Sequence, residues 1–178
     1  MKHRWLVLLI AAALPITACD AGQEADTDVM PEAEPAEQQL MALPDTTAAG
    51  VWSYLQEADY DGWPMWPGKD ALYEGTEPHG MLLTTYLNGA AHEALTGSTG
   101  PLPNGSIVVK ENYMPDSTLA SLTVMYSAEG YDPEHNDWFW AKYGTDGAVQ
   151  AAGRVEACQS CHAQGERGFL RTPVPEGM

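Results

Sequence analysis

The residues best suited to chemistry are two cysteines and a histidine near the carboxyl end, Cys158, Cys161 and His162. Their C-x-x-C-H spacing allows two thiols to reach the two vinyl groups of one porphyrin, while the adjacent histidine supplies an axial nitrogen to the iron. A C-x-x-C pair alone can instead be a redox dithiol or half of a zinc site. Because Cys19 is the only other cysteine and no βαβ pattern precedes the motif, the sequence predicts one covalently attached haem c.

Residues 1–19 have the layout of the signal of an exported bacterial lipoprotein. Lys2 and Arg4 precede an apolar run over residues 5–14, and residues 16–19 read Ile-Thr-Ala-Cys, which resembles a lipobox. Cleavage there would leave Cys19 as the lipid-bearing first residue, although a plain signal peptide with an incidental cysteine has the same pattern. We expect the protein on the periplasmic side of a bacterial membrane, held only by a lipid anchor.

The composition of residues 20–44 predicts a disordered acidic tether, because acidic residues are interleaved there with Ala and Pro, and aromatic residues are absent. Residues 45–178 have the length of one domain. The net charge of the whole chain is −17 and no basic patch occurs. This charge excludes nucleic acid as a partner, since phosphate contacts need clustered Lys and Arg.

Within the domain, hydrophobic periodicity and turn residues predict an α+β fold. We expect a helix over residues 46–60 that is capped by Asp45 or Thr46, a loop over 62–68 and a short helix over 90–95. The expected strands cover residues 81–88, 105–112, 119–127, 137–143 and 147–155. Together they predict a mainly antiparallel β-sheet with flanking helices and one haem c packed against the sheet.

Over residues 52–169 the chain resembles the cytochrome P-460 family. The resemblance rests on Pro78-His79-Gly80, on the sequence LPNGSIVVKENY at residues 102–113, on LTVMY at 122–126, on DWFWAKY at 137–143, and on the terminal C-x-x-C-H motif. It implies a sheet-rich haem fold with five-coordinate iron, unlike the helical cytochromes c. Residues 164–169 depart from the Asp-Tyr pattern of the family, which leaves that part of the pocket wall undefined.

The family divides into two functional groups. Its enzymes resemble hydroxylamine oxidisers in which a lysine is bonded to the haem macrocycle, and its cytochromes c′-beta bind nitric oxide or carbon monoxide. Lys110 occupies the position of the bonded lysine. In a strand it shares a face with Ser106 and Val108, and Ile107 and Val109 lie opposite. It would then point at the haem, but a lysine on a wet sheet face has the same pattern.

Other residues have two interpretations each. His79 can transfer protons in the distal pocket or be a loop histidine bonded to backbone. Arg154 can pair with a haem propionate or lie on the surface. His92 and His135 are expected to be exposed, and Lys69 and Lys142 are given no chemistry. Four methionines are candidates for the sixth iron ligand or for core packing: Met65, Met81, Met114 and Met125. Four aromatic residues are expected to pack on the haem or in the core: Tyr126, Trp138, Phe139 and Trp140.

Two functions remain open. In the first, the protein oxidises hydroxylamine or a similar small nitrogen compound at an open iron position and passes electrons to an exported acceptor cytochrome. In the second, it is a non-catalytic cytochrome that binds nitric oxide or carbon monoxide or transfers electrons. Whether Lys110 is bonded to the haem macrocycle decides between these two functions. A homodimer is a further partner arrangement that is compatible with either function.

Overall fold

The computed structural model describes residues 41–97 and 100–175. Cys19 and residues 20–40 of the expected tether lie outside this part of the chain. Within the described residues, six strands form one antiparallel sheet in which each strand pairs with the next along the sequence. They are β1 (Tyr73–Glu74), β2 (Leu82–Leu87), β3 (Ile107–Tyr113), β4 (Leu119–Ser127), β5 (Trp138–Gly144) and β6 (Val149–Gly153). The α+β fold expected from the sequence is therefore confirmed.

In the described part of the chain, four short helices flank the sheet. They are α1 (Ala48–Glu57), α2 (Gly89–Gly97), α3 (Glu156–His162) and α4 (Glu166–Phe169), the last interrupted by non-helical backbone at Arg167 and Gly168. Two 3-10 turns cover Tyr60–Gly62 and Pro133–His135. No helix in the described ranges is long and apolar enough to cross a membrane.

The first helix is shorter than expected and is capped by a different residue. The hydroxyl of Thr47, rather than Asp45 or Thr46, accepts a hydrogen bond from the backbone N–H of Gly50. Thr47 has extended backbone angles, which is the geometry that lets an N-cap side chain reach the first free N–H groups. The helix ends at Glu57, and the 3-10 turn follows after Asp59, whose φ is +45°.

Alternate side chains of the strands pack into two different cores. On one face, Val51 and Leu55 of α1 pack against Ile107 and Val109 of β3 and their neighbours on β4 and β5. The opposite face carries a second core, which includes Val108, Met125, Trp138, Trp140 and Leu170. The period of two along each strand produces this division.

The hairpin between β5 and β6 shows how tightly α1 is held. Gly147 has a φ of +82°, and a Cβ atom there would lie 2.6 Å from the indole of Trp52. The ring of Trp52 in turn contacts Tyr143, whose hydroxyl donates to the carbonyl of Ala48. The turn between these strands is therefore also a packing site for the helix.

Asn88 joins β2, α2 and β3 through three hydrogen bonds. Its Oδ1 accepts from the N–H groups of Ala91 and Ile107 at 3.1 and 3.0 Å, and its Nδ2 donates to Gly105 O at 2.8 Å. The helix α2 thus begins at Gly89, with Asn88 capping it.

We predict that Asn88→Ala lowers the free energy of unfolding by about 1–3 kcal/mol, because a helix cap and two further bonds are lost. Chemical unfolding followed by circular dichroism measures this change. His92→Ala, on the partly exposed side of the same helix, is the matched control and should shift the midpoint much less. Equal losses in both variants would show that Asn88 has no special role.

Candidate haem site

The C-x-x-C-H motif lies on α3, a helix that was not expected from the sequence and that begins just after β6. In a helix, residues three and four apart share a face, so Cys158, Cys161 and His162 project together. Both cysteines are free thiols. The helix is fixed to the sheet by Gln159, whose side-chain amide donates to the buried carboxylate of Asp132 at 2.7 Å.

His162 is held through one ring nitrogen. Its Nδ1 lies 2.8 Å from the carbonyl oxygen of Phe169. Because a carbonyl only accepts, Nδ1 carries the proton and Nε2 keeps a free lone pair. Burial lowers the pKa of His162 below its usual value, which keeps the ring neutral. A metal-binding histidine is usually oriented in this way.

The three motif residues line a cavity of about 480 Å³ between α3 and the second face of the sheet, a typical size for a ligand site. Residues 170–173 close one side, where the indole of Trp66 donates to Pro173 O at 2.9 Å. The segment from Trp66 to His79 contributes a further wall. The indole of Trp138 donates to Gly168 O at 2.9 Å, which fixes the chain just beyond the motif.

The floor of the cavity is a row of side chains that crosses three strands. Lys110 of β3 pairs with Thr123 of β4, and Thr123 pairs with Lys142 of β5. Paired residues of an antiparallel sheet point to the same face, and all three line the cavity. Ile107 and Val109 lie in the opposite core. The face predicted for Lys110 is therefore the one it occupies.

Lys110 is surrounded by protein atoms except where it lines the cavity. Burial lowers the pKa of its amine to about 8, because a charged ammonium loses hydration there. Within residues 41–97 and 100–175, no salt bridge links it to an acidic group. Its neutral, nucleophilic form is therefore populated near neutral pH.

His79 lies in the same cavity, on the connection between β1 and β2. Its Nδ1 is 3.1 Å from Asn112 Oδ1 and 3.3 Å from Thr123 Oγ1. Burial, followed by the positive charge of Lys110, lowers the pKa of His79 to about 4. The ring is thus neutral at pH 7 and is bonded to side chains, not to backbone carbonyls as an ordinary loop histidine would be.

Gly80 sets the position of His79. A Cβ atom at Gly80 would lie 2.4 Å from the backbone N of Tyr113 and 2.5 Å from its carbonyl oxygen. Only glycine permits this close approach of the loop to the end of β3. The approach brings His79 against Asn112, the neighbour of Tyr113.

Positive charge is concentrated around the cavity of this acidic protein. Four of the eight Lys and Arg residues in the sequence line it: Lys69, Lys110, Lys142 and Arg171. The sequence assigned no chemistry to Lys69 and Lys142 and did not single out Arg171. Arg154, for which the sequence left a propionate pairing and a surface position open, takes the second: it bonds Tyr131 O, lies 3.8 Å from Asp132 and is largely exposed. Which of these cations reach the cavity depends on how distant strands and loops pack together, and a single sequence does not reveal that packing.

The structure also shows which of the methionine and aromatic candidates lie at the cavity and which lie elsewhere. Met125 lines the cavity, whereas Met65, Met81 and Met114 are exposed. Trp140 lines the cavity and Trp138 packs beside it, whereas Tyr126 and Phe139 belong to the opposite core. His92 and His135 lie outside the cavity lining and are only partly exposed, and His135 bonds Asp132 at 3.0 Å.

These residues fit a haem. Cys158 and Cys161 would form the thioether bonds, Nε2 of His162 would bind the iron, and Lys69 and Arg171 would offer positive charge to the propionates. The indole N–H of Trp140, a residue of the cavity wall, is buried without a hydrogen-bond partner, which suits a site completed by a ligand. No group of three or more His, Cys, Asp or Glu in the described ranges could hold a bare metal ion.

Comparison with known proteins agrees with this chemistry. A model of the cytochrome P-460 family matches residues 58–168, which is more than half of the chain and extends from the end of α1 through the motif helix. No curated protein matches the chain. The chain therefore belongs to the cytochrome P-460 family, whose members are haem-binding cytochromes.

Proposed function

We propose that the protein is an exported cytochrome with one covalent haem c that oxidises hydroxylamine or a similar small nitrogen compound. The haem, when bound, supplies an iron that accepts electrons one at a time. Cys158 and Cys161 would hold it, and Nε2 of His162 would bind its iron. The observation that carries the proposal is the placement of a partly neutral Lys110 amine in the cavity that contains this motif.

Lys110 is proposed to be bonded to the haem macrocycle, as in the hydroxylamine oxidisers that the sequence resembles. A lysine bonded to the ring changes its conjugation and lowers its symmetry. Both changes alter the absorption bands and the electron affinity of the iron. The lowered pKa of the amine favours this role because a protonated ammonium has no lone pair to form a bond.

The substrate would bind on the side of the cavity opposite His162. His79 is neutral there and can accept a proton that is released as hydroxylamine loses electrons. Met125 and Trp140, both nearly fully buried, line the wall and limit the access of water. The electrons would pass to an exported acceptor cytochrome, and the acidic surface favours a basic partner.

A second candidate is a cytochrome that binds nitric oxide or carbon monoxide without turnover. The largely apolar wall, which includes Leu83, Val108 and Met125, favours it because small uncharged gases need no polar recognition. The presence or absence of a bond between Lys110 and the haem macrocycle distinguishes the two candidate functions, since only the enzyme requires that bond.

We predict that the wild-type ferrous protein has a red-shifted spectrum and that Lys110→Leu has an ordinary c-haem spectrum. The variant should keep its covalent haem and lose hydroxylamine oxidation, because the altered ring electronics are lost. Absorption spectra and steady-state oxidation assays measure both effects.

Lys142→Leu is the matched control, because Lys142 lies in the same row of the same sheet face. It should keep the red-shifted spectrum. Identical ordinary spectra for the wild type and Lys110→Leu would refute the enzyme and favour the gas-binding protein.

We also propose that Cys19 carries the lipid that anchors the protein at the periplasmic side of the membrane. Cys19→Ser should then leave the protein unprocessed or release it from the lipid anchor, because acylation requires the thiol. Fractionation together with the electrophoretic mobility of the processed chain tests this. Unchanged mobility with retention in the membrane fraction would contradict the anchor.

A further inference from the structure

The chain reverses direction just beyond the motif helix, at three consecutive residues with left-handed backbone angles. Arg167, Gly168 and Phe169 have φ values of +47°, +76° and +74°. The backbone N–H groups of Glu166 and Leu170 each donate to the other's carbonyl at 2.8 Å and close the loop. Residues other than glycine rarely adopt a positive φ, and a bulky phenylalanine is especially disfavoured there. Residues 167–169 are called the left-handed turn below.

Arg167 ties the left-handed turn to the carboxyl end of α2. Its guanidinium donates to Ala94 O at 2.9 Å, to Leu95 O at 3.4 Å and to Gly100 O, beyond the helix, at 3.1 Å. Ala94 and Leu95 belong to the last turn of α2, where the carbonyls have no partner within the helix. A planar guanidinium can bind several such acceptors in a fixed direction, so the side chain holds the turn and the helix end together.

Two carbonyl oxygens of the left-handed turn are bound by other elements. The indole of Trp138, which is fully buried on β5, donates to Gly168 O at 2.9 Å. The next carbonyl, that of Phe169, accepts from Nδ1 of His162 on α3 at 2.8 Å. Each residue of the turn is therefore bonded to a different element, which offsets the cost of the left-handed conformation.

Arg167 is connected to His162 from outside the cavity. His162 lines the cavity, whereas none of the three residues of the left-handed turn does. A ligand histidine whose N–H is bound by a protein oxygen has a fixed ring orientation, and its other nitrogen becomes more basic. A change at Arg167 can therefore alter Nε2 of His162 without altering the cavity wall.

We propose that Arg167 is a positioning residue for His162. By holding the left-handed turn on the end of α2, it keeps the carbonyl of Phe169 against Nδ1 and sets how strongly Nε2 donates to the haem iron. This inference rests on the proposed haem function. The turn lies within residues 164–169, where the chain departs from the pattern of the family it resembles.

The sign of the change in reduction potential separates this role from a charge effect. Removal of a positive charge near the iron favours the ferric state and lowers the potential. Loss of the carbonyl that binds Nδ1 makes Nε2 a weaker donor, which favours the ferrous state and raises the potential. The positioning role and the charge alone therefore predict opposite shifts.

The test is Arg167→Gly in the holoprotein, because glycine still permits the left-handed backbone but removes the bonds to α2. The iron–histidine stretching band of the ferrous protein, measured by resonance Raman spectroscopy, should move to lower frequency. The reduction potential, measured by spectroelectrochemical titration, should rise. Arg167→Lys, which keeps the charge and a donor group, should show the same two shifts with smaller amplitude.

Arg154→Ala is the matched control, since Arg154 also donates to a backbone carbonyl, that of Tyr131, and lies outside the cavity lining. It should leave the iron–histidine band in place and should not raise the potential. An unchanged band or a lower potential in folded Arg167→Gly would overturn the proposal. A wild-type band at the low frequency of a histidine without a hydrogen bond would overturn it even if every variant failed to fold.

The same samples separate this inference from the proposed function. A wild type with the Lys110-dependent red shift and hydroxylamine oxidation, but with no response to Arg167→Gly, would remove only the positioning role. A wild type that lacks both of these properties, but whose band and potential respond to Arg167→Gly as predicted, would remove the enzyme and keep the positioning role.

Discussion

The pleat of β3, β4 and β5 sends alternate side chains to two cores, and only one of these is closed by protein alone. Val51 and Leu55 of α1 cover the first core. The second face carries Val108, Met125 and Trp140 and ends in a cavity of about 480 Å³. An apolar surface of this kind is stabilised when a large ligand removes it from water, so we expect the haem to complete the core as well as the site.

One row of polar side chains crosses three strands on this second face. Lys110, Thr123 and Lys142 share the row, and Asn112 lies two residues beyond Lys110 along β3. Their surroundings keep Lys110 partly deprotonated and His79 neutral, because burial opposes the charged form of each. The same burial therefore prepares an amine for bonding and keeps an imidazole neutral for proton transfer.

The motif, most of the strands and the face of Lys110 could be predicted because each depends on local spacing. C-x-x-C-H is a fixed interval, and the alternation around Lys110 follows from strand geometry. The cavity positions of Lys142 and Arg171 could not be predicted, because they depend on the pairing of distant strands and on how the chain beyond the motif helix packs. The bond between His79 and Asn112 spans 33 positions, and no periodicity connects residues so far apart. Helix α3 was also missed, since seven residues with two cysteines and little apolar periodicity give a weak helical signal.

The central claim is that one haem is bonded both to the motif helix and to Lys110. Peptide mapping of the purified holoprotein by mass spectrometry tests it directly. We predict one haem that joins the peptide containing Cys158 and Cys161 to the peptide containing Lys110. Haem on the cysteine peptide alone would contradict the role of Lys110, and unmodified cysteines would contradict the haem site itself.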